Sequence, residues 1–302
     1  MEFDPPAELA ANCRSVPGGD EWLATVPEVI DRATRRWGLR IEDRDRLAQG
    51  TASVVLAVRC ADDSPAVLKL GLPHMEAADE IAGLRFWNGN PTVRLLDADE
   101  ANGVMLLERC VPGTPLSSLP EEEQDEVVVS LLRELWSSAD TRDEPDAETE
   151  TAEMPRLHGS FRPLSEMLAY WSDEVRERSA KHVDSALIGD ALSLFEELPR
   201  TSPRSVLLAT DLHAGNVLRA ERRGWLVIDP KPFVGDPAYD VTQHLLNCGT
   251  RMAADPLGVV SRVADLAELD TDRVRLWMFA RAATTSSANP SLWRGVARAL
   301  AP

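Results

Sequence analysis

The sequence predicts an α+β chain of two unlike parts, a small antiparallel sheet followed by a larger helical region. Three observations carry this. Short apolar runs separated by turn residues crowd the first 109 residues, apolar residues at helical spacing dominate after residue 110, and Pro112, Gly113 and Pro115 punctuate the stretch where one pattern replaces the other. The expected division is therefore 1–109 and 110–302. With 302 residues the chain is long enough for one large or two ordinary domains with a substantial core.

Taken in order, residues 21–37 place Leu23, Val26, Val29, Ile30, Ala33 and Trp37 on one helical face before Gly38 breaks the pattern. Residues 47–53 lead through small side chains into an apolar strand at 54–58, and a turn at 62–65 leads into another at 66–70. Gly50, Thr51 and Ser53 would let backbone amides approach nucleotide phosphates, although an ordinary hairpin explains them equally well. Lys69 interrupts Val67, Leu68 and Leu70. An ammonium inside an apolar strand is costly unless it meets an anion, which suits a lysine that holds nucleotide phosphates and pairs with a helix glutamate. The next helix, expected over 75–87, offers Glu76 and Glu80, which are four apart on one face, and the spacing does not choose between them. Strands follow at 93–96 and 104–109. The segment from Glu108 to Cys110 then stands where a kinase hinge would bring its backbone to an adenine edge.

The second part reads as helices over 121–136, 164–178, 185–198, 241–248, 259–266 and 273–284, with Trp277 and Phe279 as core. Residues 137–153 are acidic, poor in apolar side chains and contain Pro145, and read as a mobile surface loop. His158, His182 and His244 show no partner pattern.

The chemistry concentrates between Leu207 and Asp240. Asp211 and Asn216 are five apart, the interval at which a kinase catalytic loop sets its base and a metal-binding amide. A charged turn at 221–224 then folds the chain back, and the apolar run 225–228 delivers Asp229 towards the same place. Phosphoryl transfer explains these residue types. A carboxylate must align the attacking hydroxyl and accept its proton, and Mg2+, held by hard oxygen ligands such as Asn216 and Asp229, must neutralise phosphate charge. Lys231 and Asp236 stand close enough in sequence to touch substrate or phosphate. Asp236 also fits the cap of the following helix, and Asp240 fits its first turn.

The formal net charge of −18 argues against a nucleic-acid partner and would attract a small cationic substrate, although an acidic surface that serves solubility explains it equally well. No apolar run spans a bilayer, and residues 1–6 are acidic rather than basic and apolar, so no membrane partner, a cytoplasmic location and a monomer are expected. Cys13, Cys60, Cys110 and Cys248 are too widely spaced to suggest a zinc site or a disulfide framework.

The sequence resembles the aminoglycoside phosphotransferases, most of all the group of streptomycin 6-phosphotransferases and hydroxyurea resistance kinases. Three stretches carry the resemblance over nearly the whole chain: residues 83–87 with 93–97; residues 105–109; and residues 225–240 with Ile228, Asp229, Pro230 and Gly235, Asp236, Pro237. The resemblance implies a bilobal protein-kinase-like fold, with a small sheet-rich N-terminal lobe and a larger helical C-terminal lobe. It also implies ATP as phosphoryl donor, Asp211 as the catalytic Asp, Asn216 and Asp229 as magnesium ligands, and Lys69 as the phosphate-binding lysine. Ala209 and Thr210 depart from the His-Gly or His-Trp pair that precedes the catalytic Asp in many members, which bears on loop rigidity more than on reaction type. The expected acceptor is a streptomycin-like aminoglycoside. Hydroxyurea or another small metabolite, and a non-catalytic nucleotide-binding role, are the rival readings.

Overall fold

The computed structural model describes residues 5–42, 48–49, 52–75, 78–140, 161–179, 185–285 and 289–302. Gly50, Thr51, Glu76, His158, His182 and most of the expected loop at 137–153 lie outside them. The chain forms two compact units, Met1–Gly113 with Ala220–Arg222, and Thr114–Arg219 with Arg223–Pro302.

In the first unit, helices α1 (Ala7–Ser15) and α2 (Gly19–Trp37) precede a sheet of β1 (Arg40–Ile41), β2 (Ala48–Gln49), β3 (Ser53–Arg59), β4 (Pro65–Gly71), β5 (Leu95–Asp99) and β6 (Val104–Glu108). The strand order is β1-β3-β4-β6-β5, with β2 paired to β3, and every pairing is antiparallel. Leu56, Leu68 and Leu106 stand opposite one another across three strands and bury against Val26 and Ile30 of α2. Removing such side chains from water, at about 25 cal/mol per Å2 of apolar area, is what fixes the register. Lys69 is one residue out of phase with that row, opposite Val55 and Met105, so it projects from the other face. Helix α3 (Glu80–Trp87) begins five residues later than its sequence pattern suggests, because its first backbone bond runs from Gly83 N to Asp79 O (2.9 Å).

After strand β7 (Pro112–Pro115), the second unit contains helix α4 (Glu121–Asp140), which outlasts its expected end and carries a Ser137 Oγ bond to Arg133 O (2.8 Å). It continues with α5 (Leu164–Ser179), α6 (Ser185–Arg200), β8 (Val206–Leu208), β9 (Val217–Ala220), β10 (Trp225–Val227) and β11 (Phe233–Gly235). Helices α7 (Pro237–Leu246), α8 (Gly249–Ala254), α9 (Pro256–Ala267), α10 (Thr271–Thr284) and α11 (Pro290–Leu300) complete it. Pro237 lets α7 start four residues before the expected position, since proline is tolerated at the first helical position. Helix α10 packs against α6, α7 and α11 and buries Trp277, Met278 and Phe279 completely.

Candidate active site

Two local arrangements hold the candidate residues, one in each unit. In the sheet unit, the Lys69 ammonium donates to Glu80 Oε1 at 2.6 Å, and both side chains are buried. Glu80 is the first residue of α3, where the positive end of the helix dipole favours a carboxylate. A buried ion pair is costly to assemble, so its presence beside an apolar sheet points to use rather than stability. Ser53 is buried at the start of β3, opposite Gly71. Glu108 accepts from Arg222 Nε (2.8 Å), Arg222 Nη2 (2.9 Å) and Arg94 N (3.0 Å). Burial alone would raise its pKa, but these donors hold it below the usual carboxylate value. The Cys110 thiol is pushed up to about 11 by burial and by the Glu108 charge, so it stays protonated and unreactive.

In the helical unit, β8 runs directly into the loop that bears Asp211. Ala209 O accepts from Asp211 N (2.6 Å) and from Lys231 N (2.8 Å), and Thr210 Oγ1 donates to Lys231 O (2.6 Å). Thr210 has φ 44° and Asp229 has φ 54°. For non-glycine residues this left-handed backbone costs about 1–2 kcal/mol each, and such strain collects where function requires a particular geometry. Asp240 holds the strained loop in place. Its carboxylate accepts from Ala209 N (3.0 Å), Thr210 N (2.7 Å) and Trp136 Nε1 (3.0 Å). Complete burial nevertheless outweighs these donors and the Arg281 charge, and raises its pKa to about 6. Loop support, which the sequence lacks before Asp211, is thus supplied from α7.

Beyond Asp211, His213 caps the 3-10 turn Ala214–Asn216 by accepting from Gly215 N at its Nδ1 (3.1 Å). Burial lowers the His213 pKa, with His244 adding to the effect, so the imidazole stays neutral as this bond requires. A Cβ on Gly215 would sit 2.7 Å from His213 Cε1, so a larger residue there would push on the capping ring. The turn brings Asn216 back, and its Nδ2 donates to Asp211 O (3.0 Å) with Asp211 Oδ2 at 3.4 Å. The antiparallel β9–β10 pair aligns Val217 with Val227, and Ile228 N donates to Asn216 O (2.9 Å), so Asp229 follows directly beside Asn216. Lys231 Nζ bonds to Asp229 Oδ1. Asp211, Asn216, Asp229 and Lys231 therefore form one connected group.

The donor set fits a hard divalent cation. With the Asn216 nitrogen turned to Asp211, its carbonyl oxygen and the Asp229 carboxylate are the oxygen donors magnesium prefers. Asp236 behaves differently. It is buried, caps α7 through Ala238 N (3.0 Å), and accepts from Arg273 Nε (2.5 Å) and Trp277 Nε1 (2.6 Å). These bonds occupy both oxygens, so capping and core anchoring, rather than contact with substrate, account for this residue.

Sequence reasoning passed over two side chains next to Asp211 and one buried pair. Gln243 donates to Asp211 Oδ1 (2.7 Å), and Arg281 donates to Gln243 Oε1. His244, which showed no partner pattern, bonds buried Asp125 through Nε2 (2.9 Å). A hint was available: Asp236, Asp240 and Gln243 fall at i, i+4 and i+7 along α7, which sets all three on one side of a helix.

The sheet with its buried lysine–glutamate pair, and the Asp-Asn-Asp group on a helical scaffold, define a protein-kinase-like phosphotransferase. An aminoglycoside phosphotransferase in a ternary complex with AMP-PNP and hygromycin B shares the fold, with a TM-score of 0.55 and 18% identity over 89% of this chain and 96% of that one. The model of the aminoglycoside/hydroxyurea antibiotic resistance kinases matches residues 36–291, and the chain belongs to that family. The Streptomyces glaucescens streptomycin 6-kinase is 36% identical over 91% of this chain and 87% of its own length. The hydroxyurea phosphotransferase of Kitasatospora aureofaciens is 34% identical over 87% of this chain and 73% of its own length.

Proposed function

We propose that the protein transfers the γ-phosphoryl group of ATP to a hydroxyl of a cationic aminoglycoside, with the 6-hydroxyl of streptomycin as the acceptor, and so confers resistance. The observation that carries this reading is the hydrogen-bonded Asp211–Asn216 pair with Asp229 delivered beside it, in a chain 36% identical to a streptomycin 6-kinase. Asp211 orients the acceptor hydroxyl and takes its proton as the new O–P bond forms and the bond to the β-phosphate oxygen breaks, releasing ADP. Asn216 and Asp229 hold Mg2+, which neutralises charge on the phosphate oxygens. Lys69, aligned by Glu80, binds nucleotide phosphates; Ser53, with Gly50 and Thr51, cradles them through backbone amides, and the 108–110 backbone meets the adenine edge. Lys231 relieves the charge on Asp229 until nucleotide and metal arrive.

The net charge of −18 attracts a substrate bearing guanidinium groups, which carboxylates bind through paired hydrogen bonds, and repels nucleic acid. None of the helices searched among the described residues is long and apolar enough to cross a membrane. We take the protein to act as a cytoplasmic monomer. The hydroxyurea phosphotransferase relative supports a second reading, the same chemistry on hydroxyurea. Purified protein with MgATP, assayed for ADP release against streptomycin, hydroxyurea and a panel of hydroxylated amines, decides between them. Streptomycin should give the highest kcat/KM; turnover of hydroxyurea with none of streptomycin would overturn the first reading.

A further inference from the structure

We infer that Gln243 and Arg281 form a positioning relay that fixes the Asp211 carboxylate before the acceptor binds. The inference rests on Asp211 being the base. Arg281 is buried with its guanidinium over the Tyr239 ring (4.7 Å to the centroid) and near the Trp171 ring (5.6 Å), and it donates to Thr242 Oγ1 (3.0 Å). The Thr242 hydroxyl spends its own proton on Tyr239 O, so its oxygen is an acceptor towards Arg281. A guanidinium donates only. The Gln243 amide must therefore turn its oxygen to Arg281, which leaves its nitrogen to face Asp211, where it donates to Oδ1 at 2.7 Å. Asn216 Nδ2 stands 3.4 Å from the other oxygen, so the two amides border opposite ends of one carboxylate and limit its rotation.

Neither amide can take a proton from the acceptor, so the relay contributes geometry alone. It also matches the loop anchoring on the same helix, because Asp240 fixes the backbone at 209 and 210 while Gln243, three residues on, fixes the side chain at 211. Displacing a reacting group by about 1 Å can cost on the order of 100-fold in rate. Losing the relay should therefore lower kcat and leave KM for nucleotide and acceptor nearly unchanged.

The test is a double-mutant cycle on the full chain with MgATP and the best acceptor. Gln243→Leu should lower kcat about 10- to 100-fold, yet change nothing further in an Asp211→Ala background. Gln243→Glu keeps the shape and still satisfies Arg281, but sets a second carboxylate against Asp211, and should be at least as slow as Gln243→Leu. Arg281→Lys should retain more activity than Arg281→Met. Multiplicative losses in the cycle, or a Gln243→Glu enzyme as fast as the parent, would overturn the relay. A second readout needs no turnover: the Gln243 side-chain amide NMR signal, assigned by its loss in Gln243→Leu, should shift in both Asp211→Ala and Arg281→Lys. An unmoved signal overturns the relay, whereas wild-type protein that phosphorylates no acceptor while the signal shifts overturns only the kinase reading.

Discussion

Different neighbours fix different atoms of Asp211: Asn216 donates to its carbonyl oxygen, Gln243 donates to its Oδ1, and Ala209 O takes its N–H. The general base proposed for this position should contribute roughly 100-fold or more to turnover, so Asp211→Ala should lower kcat by at least that factor while nucleotide affinity measured by calorimetry stays within a few-fold. Lys69 sits at a different balance, because its ammonium is buried against the Glu80 carboxylate. Lys69→Met takes the ammonium away from the buried Glu80 carboxylate, which should destabilise the fold and weaken ATP binding. Pairing it with Glu80→Gln should restore the melting temperature without restoring nucleotide affinity, which separates the structural cost from the functional one.

Helix α7 organises the catalytic loop as an element. Its N-cap Asp236 ties it to α10 through Arg273 and Trp277, and Asp240 one turn later holds two loop amides and the Trp136 indole of α4. Replacing Asp240 by Ala would strand those buried donors at about 1–3 kcal/mol each. Loss of stability in chemical denaturation and a fall in kcat should therefore appear together in Asp240→Ala. The element pattern was legible where periodicity was strong, as in β3, β4, α2 and α4. The two terminal helices, α1 and α11, were not anticipated. Helix α11 carried readable signals, with Pro290 at its start and Trp293, Val296, Ala297 and Leu300 at helical spacing; α1 buries only Leu9 and Cys13, which gives too weak a period to read.

Across the whole molecule, charge acts in two ways. Asp125 lies buried on α4 and receives His244 from α7, Arg251 from α8 and Arg262 from α9. Burial opposes its ionisation, yet the bonds from His244 and Arg251 prevail and bring its pKa from 3.8 to about 2. A carboxylate with a depressed folded-state pKa contributes stability above the unfolded value and loses it as pH falls. This group should therefore supply roughly 2 kcal/mol that disappears between about pH 4 and pH 2. In Asp125→Asn, denaturation followed against pH should show that part of the acid slope gone, together with a loss of stability at neutral pH, because Arg251 and Arg262 lose their shared buried carboxylate and are left with Glu121 and Glu126. The net charge of −18 acts at longer range. KM for a cationic aminoglycoside should rise as salt shortens the screening length from about 10 Å towards 3 Å, whereas KM for neutral hydroxyurea should not move.

The sequence by itself determined the α+β plan and the chemical class, and it singled out Asp211, Asn216, Asp229 and Lys69 as candidates, because spacing along the chain and alternation within a strand are local properties. It left Glu76 and Glu80 equivalent, gave Asp240 only a helix-end role, hinted at Gln243 only through the face it shares with Asp236 and Asp240, and offered no reason to notice Arg281 or the Asp125–His244 pair. Those assignments depend on which side chains meet across tens of residues of intervening chain, and only packing of one helix against another decides that. A buried carboxylate or amide acquires its role from the donors that reach it, and no pattern of neighbours in the chain specifies which donors those will be.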